Sequence, residues 1–146
     1  MKSSLAFLLY LTAFPSSFFT QAQSQQDWDQ VRDEAESRFE IVKILIKQHK
    51  FDQLLAETEK LFAVPFPDKE ERRLVESARG ICNHLRTAKQ IPLAHKVLDQ
   101  ALKAVRRNDS KADLYKEKAY LFRKQGKEDE AMEYFERSLQ LINPKK

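Results

Sequence analysis

The chain reads as an all-α protein made of stacked helix–turn–helix repeats, and three observations predict this. Apolar residues recur at helical spacing from Asp27 to the end. Only two glycines, Gly80 and Gly126, occur in 146 residues, and a sheet-rich fold of that size needs more turn glycines. The clearest apolar stripes also recur at near-constant intervals. Aligning Leu54, Ala94 and Ala131 gives spacings of 40 and 37 residues, within the range of helical repeats.

The elements follow in order. Residues 1–22 differ from the rest: Lys2 is a short positive start, Leu5–Phe14 is an uncharged apolar run, and Thr20 and Ala22 are small residues two apart. This pattern predicts a signal peptide over 1–22, cleaved after Ala22, and hence export to a periplasm or the extracellular space. The run is shorter than the roughly 20 apolar residues of a membrane span, so no span is expected after cleavage. An uncleaved anchor, extended by Phe18 and Phe19, is the alternative. Residues 23–27 read as a polar spacer, and 28–146 as the helical domain.

Six amphipathic windows form three pairs. The first pair joins window 28–48 to a stripe of Phe51, Leu54, Leu55, Thr58, Leu61 and Phe62. Trp28 and Val31 lie ahead of it and are expected to cap the first repeat; docking on a partner is the alternative. Pro65 and Pro67 break the chain before the second pair. Asp68 and Glu71 form a capping-box pattern before window 69–87. Pro92 suits the first turn of the fourth helix, whose stripe is Ala94, Val97, Leu98, Ala101, Leu102 and Val105. Ser110 and Asp113 repeat the capping pattern before window 111–125, and Gly126 suits a left-handed cap after it. The last stripe is Ala131, Tyr134, Phe135, Ser138, Leu139 and Ile142. Phe135, in mid-stripe, is expected to pack between the helices of its pair, with Glu133 on the opposite face.

The 26 Lys and Arg against 22 Asp and Glu give a net charge of +4, too mild to call for nucleic acid. The basic runs Arg72-Arg73, Arg106-Arg107 and Lys145-Lys146 are short. Cys82 is the only cysteine, so no internal disulfide is expected. Its apolar helical neighbours predict a buried, inert thiol. His49, His84 and His95 show no metal-ligand spacing; His49 sits at a helix end, and the other two are expected on solvated faces. No glycine-rich phosphate loop and no nucleophile elbow is present. No enzyme, cofactor or metal is therefore expected.

In the third pair, Tyr115, Ala119 and Phe122 precede Gly126, followed by Ala131, Phe135 and Asn143-Pro144. The second pair carries Ala78, Ile81, Cys82, Leu85, Ala94, Leu98 and Ala101, and the first Val42, Leu45, Leu54 and Leu61. In these positions the chain resembles the tetratricopeptide repeat family, over repeats of about 35–64, 75–106 and 112–144. It departs from the family in exceeding the usual spacing of about 34 residues, in placing Leu54 where a small residue is usual, and in placing Lys118 where a leucine is usual. The resemblance implies three hairpins in a short right-handed superhelix. It also implies a protein-interaction adaptor or scaffold, whose first helices line a concave groove for an extended peptide or a helix. An undifferentiated helical bundle is the alternative.

On the predicted first helices, one face carries Phe39, Lys43 and Ile46, then Arg79, Asn83 and Arg86, then Lys116, Tyr120 and Arg123, with Lys47 and Lys124 beside them. None of these is acidic in a chain with 22 acids. That bias predicts a groove for a protein segment or peptide of acidic character, with Phe39, Ile46 and Tyr120 supplying apolar contact. A merely solvated basic face is the alternative. Arg79 and Asn83, one turn apart, resemble part of the carboxylate clamp of some tetratricopeptide domains, without a second asparagine on the third first helix. Two rival functions stand beside this one: a repeat protein that assembles with itself, and a helper domain of an envelope enzyme complex.

Overall fold

The computed structural model describes the backbone of residues 17–144 and the side chains from Asp27 onward. Six α-helices are present among the described residues: α1 (Ser17–Lys47), α2 (Phe51–Phe62), α3 (Glu71–Thr87), α4 (Ile91–Ala104), α5 (Asn108–Lys124) and α6 (Glu128–Ile142), with a 3₁₀ turn at Asp68–Glu70. The described residues are all-helical, in three hairpins. The apolar run of the expected signal peptide lies outside the described residues. The expected spacer at 23–27 is helical, because α1 starts at Ser17 and runs through it. Neither proline nor glycine interrupts residues 17–47, and glutamine is a good helix former.

The three hairpin turns share one geometry. At the first, the Lys50 N–H donates to the Leu45 carbonyl and the His49 N–H to that of Ile46. Gln90 to Leu85 with Lys89 to Arg86, and Lys127 to Phe122 with Gly126 to Arg123, repeat the pattern. These paired bonds satisfy carbonyls that a helix end leaves free. The pivot residues His49, Lys89 and Gly126 have φ of 57°, 59° and 73°, the left-handed region that such a cap requires. Only the third turn has the glycine.

Within each pair the helices pack on one another, α1 on α2, α3 on α4 and α5 on α6. Between pairs, α1, α3 and α5 form one row, α2 and α4 the other, and α4 also meets α5. The core runs through these seams: Val42, Leu54, Leu61, Val75, Ile81, Leu85, Val97, Leu98 and Leu114 are essentially inaccessible. Buried Ala78, Ala94, Ala101, Ala119 and Ala131 let the helices approach closely. Polar pins cross the seams. Thr58 Oγ1 lies 2.6 Å from Gln100 Oε1, and the Gln100 amide donates to the Leu55 carbonyl at 3.0 Å, joining α2 to α4. Ser138 Oγ donates to the Ala112 carbonyl at 2.8 Å, joining α6 to α5.

The connector after α2 is part of the core. Val64 and Phe66 are buried between the two prolines and α2. Trp28 meets Phe66 edge-on with ring centroids 6.1 Å apart, and the Arg73 guanidinium lies over the indole. Trp28 and Val31 pack against the core, so this stretch of α1 covers the connector.

Neither expected capping box forms. α3 starts at Glu71 after the 3₁₀ turn, and Glu71, 2% exposed, accepts hydrogen bonds from the N–H groups of Arg106 and Arg107 at 2.9 and 3.0 Å. This carboxylate ties α3 to the α4–α5 connector. α5 starts at Asn108, ahead of Ser110, which is buried inside its first turn. The last stripe is only half covered: Ala131 and Ser138 are buried, Tyr134 and Phe135 half-buried, and Leu139 and Ile142 exposed. Phe135 meets Tyr120 edge-on at 5.3 Å instead of filling the seam. α6 packs chiefly on α5, whereas α4 is surrounded by α2, α3 and α5.

Candidate functional site

The three first helices run in the same direction because each is followed by a returning partner, so their C-terminal ends share one edge. The row α1–α3–α5 presents the face on which binding residues were expected. Two clefts open between α1 and α3 and meet at Glu40. One, of about 530 Å³, is lined by Arg32, Phe39, Phe66, Arg73 and Glu76 among others. The second, of about 520 Å³, is lined by Lys43, Ile44, Lys47, His49 and His84 among others.

Phe39 is half-buried as a wedge between α1 and α3. A Cβ at Gly80 would lie 2.9 Å from Phe39 Cζ, so the glycine leaves the space the ring occupies. Lys43 reaches back to Glu40 at 2.7 Å and lies 5.6 Å from the Phe39 centroid. Ile46 is 6% exposed and belongs to the core; its neighbour Ile44, 50% exposed, is the apolar residue on the surface. Helical phase explains the swap: α1 buries Val42, Leu45 and Ile46 against α2 and α3.

On α3 and α5 the expected basic face is neutralised in part, at Arg79 and Lys116. Arg79 donates to Glu117 at 2.7 Å and lies 3.9 Å from Asp113, both on α5. Lys116 lies 3.7 Å from the same Asp113. The expected face thus holds Arg79 and Lys116 together around an acid that the spacing of 0, 4 and 7 had skipped. Arg79 is a strut between two helices, engaged by Glu117 and Asp113 and so not free to form a carboxylate clamp with Asn83. Tyr120 sits edge-on to Phe135 beneath the Arg123 guanidinium, 5.1 Å from its centroid.

Lys47, Arg86 and Lys124 have no ion-pair partner among the described residues. Each is exposed and lies in or next to the last turn of α1, α3 or α5, where cations favour the helix dipole. The turns add Lys50, Lys89 and Lys127 to the same edge. Where α3 and α5 begin, cations are also present but are paired: Arg106 with Asp68 and Glu71, Arg107 with Asp109, and Arg73 with Glu70. The hairpin turns are thus where unpaired cations form a basic rim. Residue spacing alone pointed to Lys47, Arg86 and Lys124 but missed His84, Ile44 and the turn lysines, because the rim is defined by helix ends and not by one helical face.

The remaining reactive side chains lie elsewhere. Burial pushes the Cys82 thiol up to about 12, and its Sγ lies 3.6 Å from the Ala94 carbonyl, so the thiolate nucleophile does not form at neutral pH. His95 was expected on a solvated face, yet its ring packs 4.3 Å from Phe122 with Nε2 3.2 Å from Gln125 Oε1. Burial lowers its pKa, and its buried Nδ1 has no partner. Among the described residues no group of three or more His, Cys, Asp and Glu is placed to hold a metal ion, and no helix is long and apolar enough to cross a membrane. No protein-family model, no curated protein and no solved structure matches the chain, so any functional reading rests on its own residues.

Proposed function

We propose that the chain is an exported, tetratricopeptide-like interaction module that holds an acidic protein segment along the rim where its three hairpin turns meet. The observation that carries this is the alignment of Lys47, Arg86 and Lys124, exposed and without carboxylate partners, beside the exposed Ile44 and the second α1–α3 cleft. A cation not already paired within the molecule is free to meet a ligand carboxylate, and arginine can hold one with two hydrogen bonds. Ile44 and the cleft supply apolar contact, which matters because an exposed charge pair is worth only about 0–1 kcal/mol. The export reading is supported by the Lys2, Leu5–Phe14 and Ala22 pattern. The module does no chemistry of its own in this reading, and its ligand is a protein.

The probe is a fluorescein-labelled peptide rich in glutamate with interspersed leucine and phenylalanine, followed by anisotropy. Binding should weaken with salt, since exposed charges are screened over about 8 Å at physiological ionic strength. Reversal of Lys47, Arg86 and Lys124 to glutamate should abolish it. Reversal of Lys69 and Lys103, exposed and away from the hairpin turns, should leave it intact. Equal loss in both variants, or no loss in either, overturns the rim.

A further inference from the structure

We propose that His95 is an acid-released latch: with its ring neutral it fastens the third hairpin turn to α4, and on protonation it lets that turn go. The latch does not depend on the ligand proposed above, although Lys124 and Lys127 ride on the turn it holds.

His95 stands near the start of α4 and reaches across to the end of α5. Its ring packs 4.3 Å from that of Phe122, and its Nε2 lies 3.2 Å from Gln125 Oε1. Phe122 in turn stacks on Tyr134 of α6 at 5.2 Å, and Lys127 lies over it. Every residue from Arg123 to Glu130 is exposed. Among the described residues, the bond to Gln125 is the side-chain hydrogen bond that ties this stretch to another repeat. The body of the α5–α6 hairpin is pinned separately, by Lys118 to Asp99 and by Ser138 to the Ala112 carbonyl. Loss of the His95 contacts therefore frees the turn and leaves the hairpin in place.

The seat suits only a neutral ring. Nε2 faces the Gln125 carbonyl oxygen and carries the ring proton, so Nδ1 holds the lone pair. That atom is buried and has no partner. A second proton would sit on Nδ1 as a buried N–H without an acceptor, which costs the desolvation of the group. The surrounding charges do not compensate. Asp99, on the same helix, favours the cation but is engaged by Lys118 of α5, and Lys118 and Lys127 of the turn both oppose it. On α6, Arg137 lies over Tyr134 and is paired with Glu133. An imidazolium is better hydrated outside, and leaving the seat breaks both contacts with the turn. Burial lowers the pKa of the ring from 6.5. The latched state is therefore favoured at neutral pH and is lost progressively as the pH falls below that value.

The test is NMR on the full chain between about pH 7.5 and about pH 5. The expected result is a contact between the His95 and Phe122 ring protons at neutral pH that disappears in step with the titration of the His95 imidazole. The Gln125, Gly126 and Lys127 amides donate to carbonyls at the end of α5. Their protection, corrected for intrinsic exchange, should fall at least about tenfold over the same range while the α3 amides keep theirs. His95→Phe keeps a ring on Phe122 and cannot titrate, so it should abolish this acid response. His84→Ala, at an exposed position of α3, should retain it. Circular dichroism at neutral pH checks that both variants keep their helices. A ring contact that survives protonation, an acid response that persists in His95→Phe, or protection lost equally in every helix overturns the latch.

Discussion

Lys118, 5% exposed on α5, pairs through its ammonium with the Asp99 carboxylate of α4, and the same ammonium lies 5.0 Å from the Tyr134 ring centroid on α6. One cation therefore joins three helices from a nearly inaccessible position. Removing one partner of a buried pair leaves a charge stranded, whereas replacing the cation with a hydrophobe does not. Asp99 is itself half-exposed, so water mitigates the loss. Asp99→Ala should destabilise the fold by about 1–2 kcal/mol. Lys118→Leu should be neutral or stabilising. Urea denaturation of the two variants checks the order, and a reversed order would mean that the ion pair is the favourable element.

The left-handed pivots make a second prediction. A residue with a Cβ is strained there by about 1–2 kcal/mol, offset in part by the freedom that glycine has in the unfolded chain. Lys89→Gly and His49→Gly should each stabilise by roughly 0.5–1 kcal/mol. Gly126→Ala, with open space around the added Cβ but φ of 73°, should destabilise by a similar amount. Thermal melts of the three variants measure the effect, and equal melting temperatures would show that the turns relax.

These turns show what the sequence could and could not reveal. The stripes of α2 and α4 were legible because residues buried on one helical face recur every three or four positions. Gly126 announced its turn, but His49 and Lys89 carry no such signal; their geometry is imposed by the helices that the turn joins. The capping boxes failed for the opposite reason. Glu71 has the expected spacing from Asp68, but tertiary hydrogen bonds from Arg106 and Arg107 outbid a local one. The basic face was read from eleven residues in isolation, and the acids that cancel part of it, Asp113 and Glu117, sit at the intervening positions of α5, turned toward α3.

Phe39 and Gly80 should be coupled. Alanine is favoured over glycine inside a helix by about 1 kcal/mol, yet at Gly80 its Cβ would lie 2.9 Å from Phe39 Cζ. Gly80→Ala should therefore gain little or lose stability in the parent, and should stabilise by about 1 kcal/mol when Phe39 is already alanine. A double-mutant cycle by denaturant unfolding reads the coupling. Additive effects would mean that the ring moves aside without cost.

Acid should weaken the fold in two windows. Burial alone would raise the Glu71 pKa, but the bonds it accepts from Arg106, Ser110 and Arg107 outweigh that, and the net shift is downward. A carboxylate depressed in the folded state stabilises above its unfolded value of 4.5, and this stability is lost as pH falls through the folded value. His95 is lowered from 6.5 by burial, so the folded state resists its protonation and stability begins to fall below about pH 6.5. Glu71→Gln should remove the lower step and His95→Phe the upper one. A stability–pH profile that keeps both steps in both variants would assign them to other groups.

The last prediction compares two positions in the same register. Leu98 on α4 and Phe135 on α6 both lie four residues after an inaccessible or nearly inaccessible alanine, Ala94 and Ala131. By sequence alone both belong to the core, and truncating a buried phenylalanine costs about 3–5 kcal/mol. The structure separates them. Leu98 is fully enclosed, so Leu98→Ala should cost about 2–5 kcal/mol, with the cavity left behind. Phe135 is half-buried and touches Tyr120 edge-on, so Phe135→Ala loses a partial burial and one aromatic contact, about 1–2 kcal/mol. Glu133→Ala, exposed and paired only with Arg137 one turn along, should stay within about 0.5 kcal/mol. If Phe135→Ala costs as much as Leu98→Ala, Phe135 is covered by the rest of the chain as fully as Leu98 is.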